Sequence, residues 1–426
     1  MKIQSFLNMG RVEAFLPIRP LPRNTVPFTA FRNQVTLEPA AMSLVGSTLG
    51  VPWASNTHDV EEINISYRKR INPIMPLASP EKLRRLKIFV ANYLRQNFIP
   101  LPYIEDTPQN CLDWIDSCTH YTENRKQILR ENLSRIVDVN DQLMPLQSKH
   151  FMCKSFIKRE LYEEPKACRL INSRSDAFKV RLGFFVKKIE HEVFKNPSFV
   201  KGKDIRLLPH ELIRLLKYSD ILETDYSSFE SSFPLNYCEA VELQMFDFFL
   251  QNNPAPLLEI RNSYYSVINN RKHPRVQVLR NDKYLAHVIG ARMSGELWTS
   301  LANGFSNMMN CLFLMHEKNI TDFDCFFEGD DGLIGMNGKH LTQQDFFDLG
   351  FKIKMNYCNS LAESSFCGNV FDPQCMDLIV SPENITRLFW TCSSQYYHCS
   401  HAKMLELLRS KALSLYSIGL HTPVAG

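Results

Sequence analysis

Phe323-Asp324-Cys325-Phe326-Phe327-Glu328-Gly329-Asp330-Asp331-Gly332-Leu333-Ile334-Gly335-Met336 decides the fold of this chain. Two short apolar runs flank Gly329-Asp330-Asp331-Gly332, a pattern that predicts a strand, a tight turn and a returning strand. Such a hairpin carries its turn carboxylates to one end of a sheet. Two carboxylates forced within about 4 Å repel by roughly 4 kcal/mol at an effective dielectric near 20. A divalent cation offsets that repulsion, and all-oxygen ligands suit Mg²⁺ or Mn²⁺. An isolated Asp-Asp can equally be a plain turn former, so the reading needs a second acidic site.

Ile221-Leu222-Glu223-Thr224-Asp225 supplies it, as a predicted strand ending on a carboxylate and followed by Tyr226-Ser227-Ser228-Phe229-Glu230. Sharing a sheet with the hairpin would bring Asp225, Asp330 and Asp331 into one cluster at the sheet edge. Between the two lies Met293-Ser294-Gly295-Glu296-Leu297-Trp298-Thr299-Ser300-Leu301-Ala302-Asn303-Gly304-Phe305. Ser294-Gly295 is a loop signal, and from Leu297 onward Leu301, Phe305, Met308, Met309 and Leu312 recur at helical spacing. Thr299 and Asn303 stand four apart and share a helical face. There they either cap internal bonds or read a ligand hydroxyl.

At 426 residues with 44% hydrophobic and 22% charged side chains, the chain can bury a large core, which excludes wholesale disorder. The net charge of +4 does not by itself announce nucleic-acid binding. Its distribution is more telling. Residues 149–188 carry 11 Lys/Arg against 4 Asp/Glu, whereas residues 204–260 carry 3 against 10. A basic segment followed by an acidic one is what a phosphate-gripping surface facing a metal-holding surface requires. The 12 cysteines are scattered without a CxxC, and we read them as reduced thiols of an intracellular protein. No uncharged apolar run approaches the length of a membrane span, and Asn8 and Arg11 interrupt any signal-peptide core.

Taken in order, Asp225-x4-Glu230, Ser294-Gly295-x3-Thr299-x3-Asn303 and Gly329-Asp330-Asp331 resemble motifs A, B and C of the viral RNA-dependent RNA polymerases of positive-strand RNA viruses. The spacing is similar to that of tombusvirus- and nodavirus-like replicases. Phe156-Ile157-Lys158-Arg159-Glu160 and Lys166-Ala167-Cys168-Arg169-Leu170-Ile171-Asn172-Ser173-Arg174 resemble the basic motif F. Gly350-Phe351-Lys352-Ile353-Lys354 resembles motif D, and Ser365-Phe366-Cys367-Gly368 stands where motif E would. Glu230 occupies a position that is usually Asp in the family.

The resemblance implies an α+β, right-hand fingers-palm-thumb polymerase with an antiparallel-sheet palm. The expected division is an N-terminal arm and fingers over 1–150, fingers with the basic NTP-entry motif over 151–203, palm over 204–250, a fingers insertion over 251–285, palm again over 286–375 and a short thumb over 376–426. It implies two Mg²⁺ ions, or Mn²⁺, on Asp225, Asp330 and Asp331. Lys354, with Lys352 as rival, would protonate the leaving pyrophosphate. Lys158, Arg159, Lys166, Arg169 and Arg174 would bind the triphosphate. Glu230, Thr299 and Asn303 would sense the ribose, and Ser294 and Gly295 would form a flexible loop beside the template base. Expected partners are RNA template and product, NTPs and other viral replication proteins. The expected location is the host cytoplasm, at membrane-associated replication complexes. A reverse transcriptase and a non-catalytic RNA-binding replication protein are the rival readings. The first is disfavoured by the polar ribose-reading set, the second by the carboxylate cluster.

Overall fold

Phe323–Glu328 and Asp331–Met336 pair as an antiparallel hairpin, with Glu328 opposite Asp331. The returning strand then pairs with Asp220–Tyr226, and that strand with Ile353–Cys358, giving a four-stranded antiparallel sheet. The computed structural model describes residues 7–8, 12–19, 53–54, 60–71, 75–117, 119–158, 161–162, 166–204, 207–281, 285–289, 292–374, 376–380 and 400–418.

Three of the four strands bury side chains on both faces of the sheet, whereas the edge strand Ile353–Cys358 is mostly half-buried or exposed. Leu222, Phe327 and Ile334 point into the main core, shared with the helices Pro80–Asn97, Asp176–Val193 and Thr299–Glu317. Their neighbours Ile221, Phe326 and Leu333 point the other way, onto a smaller cluster with Leu215, Tyr218, Phe366 and Phe371. Gly332 permits the closest strand approach: a β-carbon there would lie 2.5 Å from Thr224 Oγ1.

The helix Pro80–Asn97 forms as its spacing predicts, with Leu83, Leu86, Val90 and Leu94 buried. Ser79 caps it by accepting from the Lys82 amide, and Pro80 occupies the first turn. The helix Glu123–Ser134 ends at Ser134. Past it, the Asp138 carboxylate accepts from the amides of Asn140 and Gln142 and folds the chain into a turn instead.

A second sheet lies beside the first. Its order, from the edge, is Leu7–Asn8, Val12–Arg19, Leu285–Ile289, Val276–Arg280, Cys153–Ile157 and Leu170–Arg174. Only the Val276–Arg280 and Cys153–Ile157 pair runs parallel. Leu7–Asn8 and Val12–Arg19 are the two outermost strands at one side of this sheet. The strand Leu285–Ile289 crosses the expected 285/286 boundary and stays with this sheet. Asp377–Val380 lies beyond the 375/376 boundary but pairs with Asn369–Asp372 on the other side of it. The tail then forms the helix His401–Ile418.

Because a β-carbon on Gly332 would meet the Thr224 hydroxyl and the Phe327 ring, Gly332→Ala must displace those side chains or part the two strands that bring Asp331 level with Asp225. Overpacking of this kind costs about 1–3 kcal/mol. We expect a lowered melting temperature together with a loss of activity larger than the fraction of unfolded protein explains. Thermal melts and turnover on the same preparation check this.

Candidate active site

The strand ladder carries the acidic residues to one end of the four-stranded sheet. Thr224 pairs with Gly332, so Asp225 and Asp331 stand one step further, level with each other. On its other side Asp225 is directly opposite Lys354. Side chains alternate along strands, so Asp225, Asp331 and Lys354 share a face. Asp330 occupies the hairpin turn, where Gly329 has φ +58° and supplies the left-handed residue.

Glu230 reaches the same place by a different route. After Asp225 the chain passes Ser228 at φ +56° into the single 3₁₀ turn Phe229–Ser232. Phe229 and Phe233, on either side of Glu230, are fully buried against Phe351, with ring centroids 5.5 and 5.9 Å away. Two aromatic anchors thus pin the short segment that bears the carboxylate.

The resulting cleft has a volume of about 600 Å³, within the range of small-ligand sites. Asp225, Glu230, Asp330 and Lys354 line it together with Lys158, Lys166 and Arg169. Lys352 is not part of that lining; its carbonyl accepts from the Ser227 amide. Burial and the neighbouring charges of Glu230 and Asp225 raise the Asp330 pKa, and Arg169 works against them. Asp331 is pushed up to about 6, by burial first and then by Asp330 and Asp225. Glu328 is raised by burial, with Glu190 and Asp330 adding to it and Lys201 opposing. Carboxylates held this close bind protons or cations more tightly than isolated ones do.

Among the described residues no three His, Cys, Asp or Glu side chains converge into a finished ion cage. Mg²⁺ suits such an open arrangement, since it is usually held by one or two carboxylates with waters and substrate phosphates completing the octahedron. The all-oxygen donor set and the mutual repulsion of the carboxylates fit a hard divalent cation.

Asn303 is buried and donates from Nδ2 to Glu230 Oε1 at 3.2 Å, joining two of the three expected ribose-sensing residues. Thr299 lines the cleft, but its hydroxyl is engaged locally, accepting from the Gly295 amide and donating to the Glu296 carbonyl. The Ser294–Gly295 loop, expected to be flexible, is tied down. The Ser294 carbonyl accepts from the Asn172 amide at 2.6 Å. Gly295 has φ +99°, and a β-carbon there would lie 2.9 Å from Ile171 Cγ2.

Arg174 does not reach the triphosphate side, and its expected role is corrected. Its side chain is 1% exposed and paired with Glu296, itself 2% exposed. The guanidinium also donates to the Phe151 carbonyl and to Gln277 Oε1. It therefore fastens the loop after Gly295 to the Leu170–Arg174 strand. Arg159 lies outside the described residues.

Sequence reasoning missed Asn307. Its amide nitrogen is 3.3, 3.1 and 3.1 Å from the carbonyl oxygens of Gly329, Asp330 and Asp331, so two hydrogens are shared among three acceptors that form the acidic turn. The signal was available: Thr299, Asn303 and Asn307 repeat every four residues along one helix face. Each fastens a different part of the site, namely the 294–296 loop, Glu230 and the hairpin turn.

A family model described as viral RNA-dependent RNA polymerase matches residues 128–415, more than half of the chain and all of the cleft residues beyond Arg70 and Ile71. No curated protein matches the chain.

The raised Asp331 pKa has a direct consequence for stability. Asp331 takes its proton more readily folded than unfolded, so the folded state gains from protonation below about pH 4 and has lost that gain once the pH passes about 6. Asp331→Asn should therefore raise the melting temperature of the metal-free protein at pH 7.5, with the difference shrinking toward pH 5. Added Mg²⁺ should narrow it too, by stabilising the parent more than the variant. Melts at two pH values with and without Mg²⁺ check both signs.

Proposed function

The chain belongs to the viral RNA-dependent RNA polymerases, and from that membership we propose that the cleft performs two-metal nucleotidyl transfer in replication of a viral RNA genome. As a member it is an RNA-directed RNA polymerase, a nucleotidyltransferase that binds RNA and NTPs and uses divalent metal ions. The observation that carries the finer reading is the meeting of Asp225, Asp330, Asp331 and Lys354 at one sheet end, where Asp225, Asp330 and Lys354 line one cleft with Lys158, Lys166 and Arg169. We assign the four-stranded sheet to the palm, the basic strands and their sheet to the fingers, and the tail helix to a thumb. On motif spacing we place the chain near the tombusvirus- and nodavirus-like replicases. We also propose that it works in the host cytoplasm, brought to membrane-associated complexes by other viral replication proteins. Among the described residues no helix is long and apolar enough to cross a membrane.

In this reading Asp225 and Asp330 are the principal ligands of two Mg²⁺ ions and Asp331 an auxiliary one. When bound, the ions lower the pKa of the attacking 3′-hydroxyl and stabilise the attacking and leaving oxygens. The chain's own residues do the rest. Lys158, Lys166 and Arg169 hold the triphosphate so that its α-phosphorus faces the primer end, Arg169 being suited to paired phosphate contacts. Lys354, opposite Asp225, donates a proton to the departing pyrophosphate. Glu230, oriented by Asn303, accepts a bond from the ribose 2′-hydroxyl. A site built to bond that hydroxyl leaves buried polar groups unpaired when it is missing.

Template-dependent incorporation of labelled NTP tests the assignment. Asp330→Ala should lower it by about 10³-fold or more while the protein stays folded, and near-parental incorporation would overturn the assignment. Asn303→Ala should relax the preference for NTP over dNTP. An unchanged preference would remove Asn303 and Glu230 from sugar recognition and leave the metal site standing.

A further inference from the structure

Behind the sugar-reading pair lies a buried polar chain that the reaction as described does not use. Arg292 donates from Nη2 to Asn303 Oδ1. Its Nε lies 2.7 Å from Glu242 Oε1, with both side chains 0% exposed. Glu242 in turn accepts from the Tyr264 hydroxyl at 2.7 Å, and that oxygen accepts from Trp298 Nε1 at 3.3 Å. The guanidinium stacks on Phe233, 4.1 Å from the ring centroid. Phe233 is one of the two aromatic anchors of the Glu230 segment.

A charge in such a place is costly unless it does something. Burial drives the Glu242 carboxyl upward, toward its neutral acid. A guanidinium does not give up its proton, however, and a neutral Glu242 would leave a bare cation in the core. We therefore read Arg292 and Glu242 as an ion pair. Arg292 also feels the charge of Glu230 and lines the cleft, and its Nη1 is buried with no acceptor among the described residues. An amide has a donor end and an acceptor end. With Arg292 on the oxygen of Asn303, the nitrogen must face Glu230, and that bond occupies Oε1 and leaves Oε2 as an acceptor.

We propose that Arg292, held by Glu242, is a positioning residue for sugar selection: it fixes the Asn303 amide so that Glu230 keeps one carboxylate oxygen turned to the 2′-hydroxyl of the incoming nucleotide. Glu242 keeps the guanidinium from swinging onto Glu230, where it would cover that oxygen. The inference rests on the reading of Glu230 and Asn303 as the sugar sensors.

The test is the ratio of kcat/KM for NTP to that for the matching dNTP, with correct-against-mismatched NTP selection as the control. Arg292→Lys keeps the charge and loses the planar fork. It should lower the sugar ratio at least ten-fold and leave base selection within two-fold. Glu242→Gln, nearly isosteric, should move the ratio the same way. The double replacement Arg292→Met with Glu242→Leu removes both charges at similar volume, a change that buried pairs often tolerate. It should fold even where a single variant does not, and should also relax sugar choice. A purely structural pair would lower NTP and dNTP use together, so folded variants with an unchanged sugar ratio overturn the proposal. Asn303→Ala separates the two levels. If it relaxes sugar choice and the Arg292 variants do not, this inference fails alone. If it too leaves sugar choice unchanged, the assignment of the sugar sensors fails.

Discussion

Mutual repulsion among carboxylates is the constraint around which this molecule is arranged. Asp225 stands far along the sequence from the Asp330–Asp331 turn, its charge raises the proton affinity of both, and Asp330 raises that of Asp331 as well. Nothing in their own chemistry holds them together. The backbone does so. The register of Asp331–Met336 against Asp220–Tyr226 brings Asp225 and Asp331 level, and the Asn307 amide grips the carbonyls of the turn that carries Asp330. Both devices use main-chain bonds, which do not relax when side chains repel. The site is thereby kept in a high-energy electrostatic arrangement that a divalent cation relieves.

The second organising element is the long helix Thr299–Glu317 and the loop that leads into it. Two buried ion pairs bracket that loop. Arg292–Glu242 anchors its beginning, and Arg174–Glu296 its other end. Breaking such a pair by removing one partner typically costs about 3–5 kcal/mol. The loop also accepts the Asn172 amide through Ser294, so the strand that presents Arg169 and the helix that presents Asn303 are joined through it. The groups proposed to bind phosphate and to read the sugar therefore share one frame, although they belong to different sheets and helices.

Local pattern was enough to read the hairpin, the strand ending at Asp225 and the Thr299–Glu317 helix, because each is an apolar period interrupted by turn residues. Lys158, Lys166, Arg169, Glu230, Ser294, Gly295 and Thr299 come together in the cleft lining because the motif order fixes which segments meet. What escaped depends on which way a side chain faces in the folded state. Arg174 and Arg169 look alike in sequence, yet one ends in the cleft lining and the other beneath Gly295 against Glu296. Lys352 and Lys354 are indistinguishable by parity. The ladder separates them, since Lys354 falls opposite Asp225 while Lys352 precedes the strand. Arg292, Glu242 and Asn307 are polar residues in apolar surroundings, and no periodicity marks a buried charge that has found its partner.

The charge segregation visible along the chain takes its meaning from the cleft. A net charge of +4 spread evenly would attract a polyanion weakly and screen within a Debye length. Here the cations cluster on the segment that carries Lys158, Lys166 and Arg169, and the anions on the segment that carries Asp225 and Glu230, and both segments line the cleft. Low-dielectric walls focus both fields into the same space. Arg169 already lowers the proton affinity that its neighbours raise in Asp330. A ligand that is anionic at one end and carries cations at the other, as a metal-bound triphosphate does, is matched at both ends at once. A bare anion would be attracted by the cations and repelled by the carboxylates. On the proposed assignment of the site, charge arrangement thus discriminates before any hydrogen bond to base or sugar is formed.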